Sequence, residues 1–103
     1  MEQIERIQEM ERCLDDSEKA IRALSEALSV FEDVLTSYRK LTEYYGSDQW
    51  MQDYEDDVAG KLPRDLKRGV LSEDAVYDLL TENRELMVRM LRMVTGALQT
   101  DTL

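Results

Sequence analysis

The chain has 103 residues and a formal net charge of −10, from 13 basic residues against 23 acidic ones, so it lacks the basic balance of a protein that grips a nucleic-acid backbone. It contains no histidine, which removes the commonest general base and the commonest metal ligand, and its single cysteine, Cys13, has no partner for an internal disulfide. Apolar residues make up 43% of the chain, enough for one modest core in a single helical domain spanning 1–103, and no apolar run approaches the ~20 residues of a membrane span.

The first predicted element is a helix over residues 2–45. Ile7, Leu14, Ile21, Leu28 and Leu35 recur every seven residues, and Met10, Leu24, Phe31, Tyr38 and Tyr45 hold a second seam position, with Ser17 as the exception. That period draws one apolar stripe along one side of a helix, and the stripe must be buried against something. The outer positions are mostly Glu, Asp, Lys and Arg, as a solvated face requires. The opening MEQIERIQEMER is acidic and helical, not a signal peptide. Asp15, Asp16 and Ser17 could begin a new helix, because Ser17 can cap backbone N–H groups. The seam nevertheless keeps its register from Leu14 to Ile21, which favours one continuous helix. Cys13 lies one residue off the seam and is expected to be partly exposed. About 44 helical residues would extend roughly 66 Å at ~1.5 Å per residue, more than a domain of this size needs for its own core.

Gly46 is expected to end this helix, since glycine accepts the left-handed conformation of a helix C-terminus. Ser47 and Asp48 then offer caps for a second helix over 48–59, whose narrow apolar face is Trp50, Tyr54 and Val58, and Gly60 closes it. Pro63 suits the start of a single helical turn over 64–67, with Gly69 ending that turn. Ser72 is the clearest start signal in the chain. It precedes the acids Glu73 and Asp74, and Leu71 and Val76 match a hydrophobic staple across it. The last helix is predicted over 73–98, with Val76, Leu79, Leu80, Leu86, Met87, Met90, Met93, Val94 and Ala97 on its apolar stripe and a frayed tail over 99–103. Asn83 interrupts the stripe, either as a buried register-setting amide or as a half-exposed residue. Met87, Met90 and Met93 read as core, with an adaptable binding groove as the other use of such side chains.

The corner over 46–71 concentrates aromatic and charged residues. Structurally, Trp50, Tyr54 and their neighbours would plug the end of a helical hairpin, while Lys61, Arg64, Lys67 and Arg68 neutralise Asp53, Asp56 and Asp57. Functionally, Trp50 and Tyr54 would anchor a recognition surface with Lys61, Arg64, Lys67 and Arg68 as its polar contacts, because Trp, Tyr and Arg typically carry binding energy. Asp53, Glu55 and Asp57 alternate like the start of a calcium loop. The pattern then fails at Val58, where a glycine belongs, and at Arg64, where the bidentate acid belongs, so no metal or cofactor is expected. The four glycines are isolated, no phosphate-cradling loop is present, and no nucleophile–base pair is readable.

The segments YYGS at 44–47, Trp50, DYEDD at 53–57, GKLP at 60–63 and DLKRGVLSEDAVYDLL at 65–80, together with MEQIERIQEME at 1–11, resemble a family of small bacterial proteins of unknown function. The resemblance spans most of the chain. It implies a bacterial, mainly helical protein and carries no activity and no functional residue with it.

These readings converge on an all-α protein, a long antiparallel helical hairpin with a short-helix corner. A last helix of about 26 residues would cover only ~39 Å of the first. The remaining stripe, with Ile7, Met10 and Leu14 as a dimer seam, then lacks a partner unless two hairpins pair into a dimeric four-helix bundle. The expected role is a non-enzymatic, cytoplasmic interaction or scaffold protein, a homodimer with a further unidentified protein partner and without nucleic acid, membrane or cofactor. The alternatives are an acidic regulator of a basic partner protein and a small carboxylate-metal hydrolase.

Overall fold

The computed structural model describes residues 2–100. Three α-helices follow one another, α1 (Glu2–Tyr44), α2 (Asp48–Val58) and α3 (Glu73–Gln99), with one 3-10 turn, Gly69–Leu71, before the last. The class is all-α, and the order of long helix, short-helix corner and second long helix is that of a helical hairpin. The chain divides into two units, one ending at Arg39 and the other beginning at Lys40.

The first unit is the body of α1, and it passes without a break through Asp15, Asp16 and Ser17. The unbroken seven-residue register decides this over the capping tendency of Ser17, because a helix already propagating loses little by carrying one serine. No side chain of α1 is buried. Ile7, Met10 and Leu14 are 52%, 53% and 51% exposed. Cys13 is exposed as well.

The second unit is built around the corner. Gly46 and Gly60 both adopt positive φ, at 79° and 73°, and close α1 and α2 where an L side chain would be strained. After α2, the Gly60 N–H donates to the Asp57 carbonyl at 3.0 Å and the Lys61 N–H to the Asp56 carbonyl at 2.9 Å. This is the paired Schellman arrangement. Ser47 serves both neighbouring helices. Its hydroxyl donates to the Tyr44 carbonyl at 2.6 Å and accepts the Trp50 N–H at 3.1 Å. Ser72 caps α3 by accepting the Ala75 N–H at 3.4 Å. Leu71 and Val76, the staple pair, are both buried, and with Trp50 they form the buried hydrophobic core among the described residues.

Four local expectations are corrected. Residues 64–67 form no helical turn; the Leu66 N–H donates to the Pro63 carbonyl at 3.2 Å, making a single reverse turn. The Pro63 and Arg64 carbonyls, which a helix would next use as acceptors, take the Arg68 guanidinium instead. Gly69 opens a 3-10 turn instead of ending a helix, with the Ser72 N–H donating to its carbonyl at 3.1 Å. On α3, Met87 and Met93 are exposed and Met90 is half-buried, so their three-residue spacing marks an uncovered amphipathic face and not a packed core. Asn83 is half-buried, in keeping with the second of its two readings. Gln99 is helical, so the frayed tail does not begin there, and residues 101–103 lie outside the described residues.

Candidate functional site

The corner is assembled on Trp50, which α2 presents from its first turn and which is 8% exposed. Its indole stacks on the Tyr54 ring, with centroids 5.3 Å apart and planes 15° from parallel. It meets the Tyr45 ring edge-on, also at 5.3 Å, with an interplanar angle of 71°. Both arrangements are favourable for ring quadrupoles. The indole N–H donates to the Val70 carbonyl at 2.8 Å, so its polar end is satisfied inside the corner. Two tyrosines of this cluster then reach the start of α3. The Tyr45 hydroxyl donates to the Glu73 carbonyl at 3.3 Å, and the Tyr54 hydroxyl to the Glu73 carboxylate at 2.7 Å. Trp50 and Tyr54 are therefore brought together as the sequence predicts, with Trp50 buried at the centre of the corner and Tyr54 half-buried beside it.

The basic residues separate into two kinds. Arg68 is tied down on both prongs. One guanidinium nitrogen donates to the Asp57 carboxylate at 2.6 Å, and the other donates to the Pro63 and Arg64 carbonyls at 2.8 and 3.0 Å. The planar fork of arginine suits this three-way clamp, which a lysine could not reproduce. Lys61 approaches the half-buried Asp56 only to 3.9 Å and is itself largely exposed, a pair of little energetic weight. Arg64 and Lys67 are exposed and form no ion pair among the described residues. Lys67 is the one charged residue among those lining an otherwise apolar groove of about 450 Å³ with Leu41, Val70, Val76 and Leu79. Arg68→Ala should cost about 1.5–3 kcal/mol, the range for hydrogen bonds to charged groups, whereas Lys67→Ala should stay within about 0.5 kcal/mol. Urea unfolding followed by circular dichroism separates the two, and equal effects would deny the clamp its structural role.

Asp53 does not pair with the basic residues as expected. It accepts the Tyr44 hydroxyl at 2.6 Å. Partial burial, this hydrogen bond and the carboxylate's charge together push the half-buried Tyr44 phenol up to about 12 from 10.0. The Tyr54 phenol is also raised, first by its hydrogen bond to Glu73. Tyr44 was missed as a site residue because it lies off the seam of α1. Its only local signal is the Ser47 cap just beyond it, which bends the chain back so that Asp53 can reach. For a group whose folded pKa is raised, the stabilisation is complete below the unfolded value. Stability from Tyr44 should thus be whole below pH 10.0 and fall as pH rises through about 12. Unfolding midpoints measured across that window should decline less steeply for Tyr44→Phe than for the unsubstituted chain; identical slopes would contradict the linkage.

The second candidate site is the seam of α1. A solitary helix gains little from propensity alone, and most helical stability in proteins comes from covering an amphipathic face. Ile7, Met10 and Leu14 lie on such a face and are uncovered. Among the described residues no three Asp, Glu or Cys side chains converge as a metal site would require, and no helix is long and apolar enough to cross a membrane.

Residues 7–93 match the domain of unknown function DUF4298. The chain belongs to this family. The matched range takes in the seam from Ile7, the whole Trp50 corner with Arg68, and α3 as far as Met93, so both candidate sites lie within it. No curated protein and no solved structure matches the chain.

Proposed function

We propose that this DUF4298 chain is a non-enzymatic protein–protein interaction or scaffold protein of the bacterial cytoplasm, working through the apolar seam of α1. The observation that supports this most is the exposure of that seam: a helix of 43 residues carries a regular apolar stripe and none of its side chains is buried. Large exposed apolar faces with polar margins mark association sites on soluble proteins. The corner supports the same reading, since Trp50, Tyr54, Tyr45 and Arg68 are engaged with each other and with backbone carbonyls, as the parts of a rigid end to the helical unit.

A second reading, an acidic regulator of a basic partner protein, draws on Glu11, Glu18 and Glu32 along one margin of the seam. It predicts binding that weakens steeply with salt, as exposed charge pairs do. Sedimentation equilibrium of the chain alone and affinity capture with it as bait test the main reading. A chain that stays at 12.0 kDa at micromolar concentration and captures nothing contradicts it.

A further inference from the structure

The seam of α1 has a composition that selects among partners. With Ile7, Leu14, Ile21, Leu28 and Leu35 at the first seam position and Met10, Ser17, Leu24, Phe31 and Tyr38 at the second, the two flanks differ. One flank holds Arg6, Cys13, Ala20, Ala27 and Val34, which are small or apolar after the first. The other holds Ile4, Glu11, Glu18, Ser25, Glu32 and Arg39. We propose that a second copy of this chain covers the seam, with the two α1 helices parallel and in register. This rests on the interaction-protein reading and names its partner.

Charge placement decides the orientation. In a parallel in-register pair the first flank of each helix lies beside the second flank of the other, five residues on. Arg6 then meets Glu11 of the second copy, an attractive pair. Cys13 and Ala27 meet Glu18 and Glu32, Ala20 meets Ser25, and Val34 meets Arg39, so no like charges face each other. In an antiparallel pair the glutamate-bearing flanks lie side by side. Antiparallel registers that overlap the two helices by more than about four turns set Glu11, Glu18 or Glu32 beside another of these glutamates, and like charges in register are unfavourable.

The face to be covered carries no charge at either seam position from Ile7 to Tyr38, so it meets its own copy without burying an unpaired ion.

Ser17 provides the test, because a seam residue of a parallel in-register pair faces its own counterpart. In a Cys13→Ser background, Ser17→Cys is oxidised with oxidised glutathione, which takes up the two hydrogens as two thiols form the disulfide. A covalent dimer on a non-reducing gel is expected, with none from Lys19→Cys on the outer face. Sedimentation equilibrium of the unsubstituted chain should give twice 12.0 kDa at micromolar concentration. A two-chain mass without the Ser17→Cys crosslink overturns the parallel pairing in favour of an antiparallel one. A 12.0 kDa mass overturns the second copy altogether. In that case, capture of a basic partner protein that Ile7→Asp abolishes leaves the interaction-protein reading standing, and no seam-dependent capture ends that reading too.

Discussion

Trp50→Ala should destabilise the corner by about 3–5 kcal/mol, the range for truncating a large aromatic in a core. Three losses combine. The buried indole area goes, the stacked contact with Tyr54 and the edge contact with Tyr45 go, and the Val70 carbonyl loses the donor that now lies 2.8 Å away. Because Leu71 and Val76 are the other two buried side chains among the described residues, little remains to repack around the cavity. Trp50→Phe separates the contributions: it keeps an aromatic ring and removes the donor, and should cost about 1–3 kcal/mol for the unsatisfied carbonyl in addition to the smaller ring. Urea unfolding monitored by circular dichroism measures both. A cost below about 1 kcal/mol for Trp50→Ala would mean that the corner is held by its caps and hydrogen bonds and not by the indole.

Ile7→Asp combined with Leu14→Asp should dissociate any assembly made through the seam and fray the N-terminal part of α1. An ionised carboxylate left unpaired at a covered seam position costs several kcal/mol, and two of them exceed what one helical stripe recovers. The effect should be confined to that helix. Both positions lie in the unit that ends at Arg39, while Trp50 and its partners lie in the unit that begins at Lys40. The expected result is a drop in helical circular dichroism and in sedimenting mass, with the Trp50 emission maximum unchanged. If the helix signal and the mass both survive, the seam is not what the chain associates through. The change at Ile7 and Leu14 is uninformative about the corner in either direction, which makes it a clean companion to the Trp50 series.

What could be read along the chain was whatever depends on neighbours a few residues apart. The period of Ile7, Leu14 and Ile21 determined a single α1 through Ser17, because helix register is a local property. Gly46 and Gly60 declared two helix ends, and Ser47 and Ser72 two beginnings, because caps act within three or four residues. Burial of Trp50, Leu71 and Val76 was also legible, since a single cluster of aromatics and a staple pair had few other places to go.

The tertiary structure decided which polar group each side chain serves. Arg68 was one of four equivalent cations in the sequence; only the closed loop brings Asp57 and the Pro63 and Arg64 carbonyls to it together. Asp53 had several cations to choose from and was taken by Tyr44, nine residues earlier, once Ser47 had turned the chain. The partner of the Trp50 N–H lies twenty residues away at Val70. Such choices turn on loop closure, whose outcome depends on all the contacts made at once and leaves no periodic trace. The methionines of α3 show the converse: spacing identified an apolar face, and only the folded chain showed Met87 and Met93 uncovered, because periodicity reports that a face is apolar and not what lies against it.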